Sequence, residues 1–187
     1  PDDYLRKDYV VTENGVDKMM ENQDPEIQKF SGYESYSVLQ KFGYKFSEHV
    51  NIDYSLLYST TSDIPRYDRL TQRKNESTLK YARWDYGPQK WIMNNLSLNV
   101  NAPNGAFDNL RITLAVQNFE ESRISRKFGT NVEKFQKENV DMYSANLDFD
   151  NAISGRSTLY YGLEFVYNDI NSEAVSKESG TEKSIMI

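Results

Sequence analysis

Residues 36–58 read YSVLQKFGYKFSEHVNIDYSLLY. Tyr36, Val38, Phe42, Tyr44 and Phe46 fall on one parity; Ser37, Lys41, Gly43 and Lys45 fall on the other. After Ser47, Glu48 and His49 the alternation resumes, with Val50, Ile52, Tyr54, Leu56 and Tyr58 set against Asn51, Asp53, Ser55 and Ser59. A period of two gives a strand with one apolar and one polar face. Two further stretches repeat the pattern. Ile92, Leu96, Leu98 and Val100 turn back into Leu110, Ile112, Leu114 and Val116; Tyr143, Ala145, Leu147 and Phe149 turn back into Leu159, Tyr161, Leu163, Phe165 and Tyr167. Globular strands average about five or six residues, whereas a tilted strand crossing a bilayer needs about nine to eleven. The expected fold is all-β: an antiparallel up-and-down transmembrane β-barrel segment of about six strands. Four residues break the pattern: Leu39 and Leu57 on the polar parity, Gln40 and Asn94 on the apolar one.

The connections alternate in length. Residues 47–49, 102–108 and 151–156 are short and rich in turn formers such as Pro103, Asn104, Gly105 and Gly155. Residues 61–90 and 120–139 are long and polar, as extracellular loops of an outer-membrane barrel are. The organisation read from this is an extracellular loop region at 1–33, barrel strands over 34–171 with long loops at 61–90 and 120–139, and a loop or truncated tail at 172–187. Within 1–33, residues 16–20 are expected to form one helical turn. Tyr36, Tyr58, Trp91, Phe119, Tyr143 and Tyr167 lie toward the loop ends, and Phe46, Phe107 and Phe149 toward the turn ends, where an interfacial aromatic girdle would sit.

Composition agrees. The chain has 187 residues, of which 38% are hydrophobic and 13% aromatic, with fourteen tyrosines. A barrel with a polar interior needs only an outer apolar band. No apolar run is long enough for a spanning helix. Position 1 is Pro and no signal segment precedes it, so the chain is expected to be a slice of a longer polypeptide. Three strand pairs cannot close a membrane barrel, which takes at least about eight strands. Cysteine is absent. A net charge of −6, with no interleaved basic and aromatic segment, argues against a nucleic-acid partner.

The runs SDIPRYDRL at 62–70, LKYARWDYGPQKW at 79–91 and VQNFEESRISRKFG at 116–129, with NQDPEIQKFSGYESYSVLQKF at 22–42, resemble TonB-dependent outer-membrane receptors. The likeness is to the haem/haemoglobin/transferrin-type receptors of Bacteroidota. It implies a barrel of about 22 strands with an N-terminal plug, sited in the outer membrane of a Gram-negative bacterium and driven by an energised TonB complex. The implied cargo is iron-containing: haem, haemoglobin or a similar complex. Partners then include outer-membrane lipid, the protein's own plug and a haem-carrying host protein. Residues matching the plug, the TonB box, the FRAP and NPNL motifs and the haem-ligating His are not found in this chain. Two alternatives stay open: an importer of another nutrient such as a ferric siderophore, and a non-transporting barrel serving as adhesin or small enzyme. A soluble β-sandwich binding module is a further possibility.

No catalytic site is expected, since neither a nucleophile elbow nor a paired acid and base stands out. No metal site is expected either; His49 is the single histidine and occupies a tight turn. The candidate cargo contacts are Arg66, Tyr67, Arg69, Tyr81, Arg83, Trp84 and Tyr86, gathered in the excursion 61–90. Guanidinium forks grip carboxylates, and aromatic planes stack on flat ligands or protein hot spots. The plainer alternative is a loop that packs its own aromatics and pairs Arg66 with Asp68 or Asp85. No bound cofactor is expected in this segment; haem or an iron complex enters only as cargo.

Overall fold

In the computed structural model, which describes residues 5–102, 106–178 and 184–186 (the last by backbone alone), the chain is almost wholly β. A small hairpin comes first, β1 (Asp8–Glu13) with β2 (Val16–Glu21). A larger sheet follows, built on β3 (Ser35–Lys45) and β4 (Val50–Thr61). After an excursion containing β5 (Ile64–Pro65), α1 (Tyr67–Leu70), β6 (Arg73–Asn75), β7 (Thr78–Leu79) and β8 (Tyr81–Tyr86), it continues through β9 (Lys90–Asn101). It ends with β10 (Asn109–Lys127), β11 (Val132–Ser154), β12 (Ser157–Glu178) and β13 (Ser184–Met186). Strand order is β13-β12-β11-β10-β9-β4-β3, every neighbour antiparallel. This is an up-and-down meander. It is open, with β3 and most of β12 as free edges among the described residues.

Register turns the alternation into rows. One row runs Tyr44, Ile52, Leu98, Ile112, Leu147, Leu163; the next runs Phe42, Tyr54, Leu96, Leu114, Ala145, Phe165. With Val50, Val100, Leu110, Phe149 and Tyr161 on one side and Leu56, Val116, Tyr143 and Tyr167 on the other, four rows form an apolar band. Rows lie about 7 Å apart, so the band spans about 20 Å between outermost Cα atoms. This face is the open one: Leu114 is 47% exposed and Leu163 72%. On the opposite face small polar side chains sink between their neighbours, and Ser97 is only 5% exposed.

The pattern breaks are resolved by neighbours. The Tyr54 hydroxyl donates to Asn94 Oδ1 at 2.6 Å, giving the amide a partner within the apolar rows. Leu39 pairs across with Leu57, and Leu57 with Met93, so the two leucines make a short apolar row of their own on the polar face. Trp91 and Phe119 also lie on that face, opposite Ser59 and Val140, and so cannot join an aromatic girdle on the other. Gly162 packs where a Cβ would collide with the Leu147 carbonyl.

Four expectations are corrected. Residues 120–139 are not a loop: β10 and β11 stay paired as far as Arg126 and Glu133. Above Val116 and Tyr143 the apolar parity turns polar at Asn118, Asp141 and Asp169 while Phe119, Val140 and Ile170 take the other face, so the alternation breaks while backbone pairing goes on. The excursion 61–90 is likewise half strand. β5 pairs with β8 and β8 with β10, in line with β4 and β9 below them. The break between β8 and β9 falls at Gly87, whose φ is +97° and whose Cβ would lie 2.9 Å from the Ser62 carbonyl oxygen. Residues 16–20 are strand, not a helical turn. Asn14 and Gly15 both take positive φ, the geometry of a two-residue hairpin turn. Finally, β12 extends through the start of the expected tail to Glu178, because Glu173, Val175 and Lys177 pair with β11. The expected turn at Pro103, Asn104 and Gly105 and the first residues of the chain lie outside the described residues.

Candidate functional site

Among the described residues, three of the four buried apolar ones, Leu70, Leu79 and Ile124, lie beyond the apolar band. They mark a compact cap made of the excursion, the upper parts of β10 and β11, and the β1–β2 hairpin. Its two sides carry different chemistry, because alternate residues of β8 project to opposite sides.

On one side, Trp84 and Tyr86 stand opposite Ser125 and Arg123 of β10. Their rings meet edge to face, 5.1 Å apart at 89°. Arg66 lies over both, 5.1 Å from the Trp84 centroid and 4.8 Å from that of Tyr86. Its fork donates to both Asp68 oxygens at 2.6 Å and to the Tyr86 hydroxyl. The Asp68 pairing therefore forms, and the Asp85 one does not. The Arg66 hydrogen bonds hold the Asp68 carboxyl below its usual range. Arg69, from α1, lies over Trp84 at 5.7 Å from its centroid, and Arg123 over Tyr86 at 5.7 Å. Guanidinium on indole or phenol gains quadrupole attraction as well as area.

On the other side, Arg83 holds three carboxylates: Asp85 at 2.6 Å, Asp63 at 2.6 Å and Glu133 at 3.0 Å. Burial pushes the Asp85 carboxyl up despite its bond to Arg83, and the charges of Asp63 and Glu133 add to that. Beside this cluster the N-terminal hairpin is clamped on. The Asp17 carboxylate accepts from both Nη atoms of Arg126, from Gly129 N at 2.8 Å and from Thr12 Oγ1 at 2.7 Å. Its side chain is 1% exposed. Burial alone would raise its pKa, but these donors hold it below the ordinary carboxylate range. A second tie joins Arg73 to Asp8.

The seven sequence candidates are thus divided. Arg66, Arg69, Trp84 and Tyr86 converge, while Arg83 belongs to the ion cluster on the other side. Tyr81 lies under Lys80 at 5.1 Å. Tyr67 lies on α1, close enough to the buried Arg6 guanidinium to act on its charge. Arg123, Asp17, Arg126 and Glu133 were not singled out by sequence reasoning. Only the register, which sets Arg123 against Tyr86, brings Arg123 into the cluster. His49 lines a polar groove of about 480 Å³ at the opposite, short-turn end, with Asp148 and Asp150. Among the described residues no group of three metal-binding side chains converges. No protein-family model matches the chain, and no curated protein and no solved structure matches it either.

Proposed function

We propose that the chain is part of a TonB-dependent outer-membrane receptor that imports an iron-containing cargo such as haem or haemoglobin. The observation that carries the membrane half of this reading is the exposed apolar band. Four rows, broadened by their side chains, approach the ~25 Å apolar belt of an outer-membrane barrel. A water-soluble protein seldom leaves such a continuous face bare. In this reading the polar face looks into the lumen and the open edges at β3 and β12 are met by further strands, since an unpaired edge cannot face lipid. The cap then stands above the membrane, with Trp84, Tyr86 and their guanidinium partners on the wall of an extracellular vestibule. The loop phrases supply the importer half. Its partners would be lipid, a plug and the TonB complex. The test is growth of the source cell with the gene deleted. Growth on haem or haemoglobin as sole iron source should fail while growth on soluble ferrous iron persists. Unimpaired growth on every haem source would overturn the importer reading.

A further inference from the structure

We infer that Arg69 is a receiving group for an oxyanion, a carboxylate or phosphate. That this anion belongs to cargo rests on the reading just given.

The charges of the aromatic side do not balance. Three guanidiniums, those of Arg66, Arg69 and Arg123, converge on two rings. Two carboxylates accompany them. Asp68 is taken by Arg66 through both oxygens, and Glu121 accepts from Arg123 at 3.0 Å. Among the described residues Arg69 comes no nearer to a carboxylate than 3.8 Å, from Nε to Asp68 Oδ2, an ion-pair distance beyond hydrogen-bond reach. Its Nε is shut off from solvent and has no hydrogen bond. Arg83 has three carboxylates, Arg126 has Asp17 and Arg73 has Asp8; Arg6 shares the unbonded Nε but is buried, 3% exposed, and its fork donates to the Lys29 carbonyl.

Arg69 is also held ready. Its guanidinium lies over Trp84, which Arg66 approaches as well at 5.1 Å. The ring contact restricts the side chain, and the guanidinium N–H groups other than Nε likewise have no hydrogen-bond partner among the described residues. The side chain is 41% exposed, which leaves room for approach. Its ring partner Trp84 lies on the polar parity, away from the lipid side of the proposed barrel, so a lipid phosphate is not the natural visitor. A planar fork matches carboxylate and phosphate alike.

Titration calorimetry on the protein in detergent micelles tests this, with citrate, inorganic phosphate and, as an uncharged control, glucose. At least one oxyanion should bind saturably and more weakly as salt rises, and glucose should not bind. Arg69→Gln should weaken that binding about tenfold or more. Arg69→Lys should lie between the two, and Lys18→Gln, on the exposed N-terminal hairpin, should match wild type. Which anion binds identifies the source chemistry. Far-UV circular dichroism verifies the fold of each variant, and Arg69→Lys carries the comparison if Arg69→Gln misfolds. Absence of oxyanion binding in wild type, or wild-type affinity in the Arg69 variant that folds, overturns the inference. Arg69-dependent binding in a protein whose gene deletion spares growth on haem would overturn only the importer reading.

Discussion

The band makes a prediction whose size depends on the surrounding solvent. Leu114 lies in the second of the four rows, between Leu96 and Ala145, within about 4 Å of the band's mid-height. It is 47% exposed on the bare sheet. Were that face wetted, Leu114→Arg would cost little: the long stem would lie along the sheet, its head would reach water, and the change would stay within about 0.5 kcal/mol. With acyl chains against the face, the same guanidinium must enter hydrocarbon near mid-depth, at a cost of about 2–4 kcal/mol. Asn146→Arg is the matched control. It lies at the same height on the polar face, directly across from Glu164, where a cation gains an opposite charge. Its effect should stay near zero. Gly162 is unsuitable as a control, because any side chain there strikes the Leu147 carbonyl. Urea titration of the protein folded into liposomes, followed by tryptophan fluorescence, gives both numbers. A Leu114→Arg loss below about 0.5 kcal/mol, or equal losses at the two sites, would refute the lipid-facing assignment.

The clamp and the paired arms make further predictions. Asp17→Asn should release the N-terminal hairpin, raising amide exchange across β1 and β2 while rows 110–116 of β10 stay protected. Acid should act in the same direction. With its carboxyl held low in the folded state, Asp17 contributes its full stability above the ordinary value of 3.8 and loses it as pH falls through the lowered one; exchange at pH 6 against pH 2.5 reads this out, and equal protection would count against the clamp. Tyr54→Phe should cost about 1–3 kcal/mol by stranding Asn94, and Asn94→Leu should recover most of it in the same urea assay. Trypsin applied to intact cells should cut at Lys74, beside the tip of β6–β7, and spare Arg123 and Lys134, which are held in the long ladders of β10 and β11.

The strands that could be read from sequence were those whose two faces differ. Six stretches announced themselves because leucine, valine and aromatic residues recur at every second position against asparagine and serine. The upper halves of β10, β11 and β12 stayed hidden because their apolar residues change faces, Phe119, Val140 and Ile170 on one and Ile124, Phe135 and Val175 on the other. Backbone pairing there continues without the contrast on which a period-two reading depends. The β1–β2 hairpin did carry a signal, Asn14-Gly15, but its flanks DYVVTE and VDKMME alternate too weakly to be taken as strands. At the cap, the sequence gathered the right residue types into 61–90. It could not divide them, because sidedness depends on register. Arg83 and Trp84 are neighbours in the chain and face opposite ways. Arg123 reaches Tyr86 only through the pairing of β10 with β8.

The continuation of β10 and β11 past the apolar band bears on how such a surface changes over generations. The arms keep their shape through backbone ladders, and an exposed cross-strand pair contributes only about 0.2–1 kcal/mol. Most single replacements there leave the geometry standing. In the proposed barrel a leucine in the band has no such latitude, since lipid would penalise a charge there by about 2–4 kcal/mol. On the proposed reading the molecule joins a hydrocarbon-facing zone with a narrow alphabet to a rigid rim with a wide one. New recognition chemistry can be tried on the rim residue by residue, on positions already fixed in space.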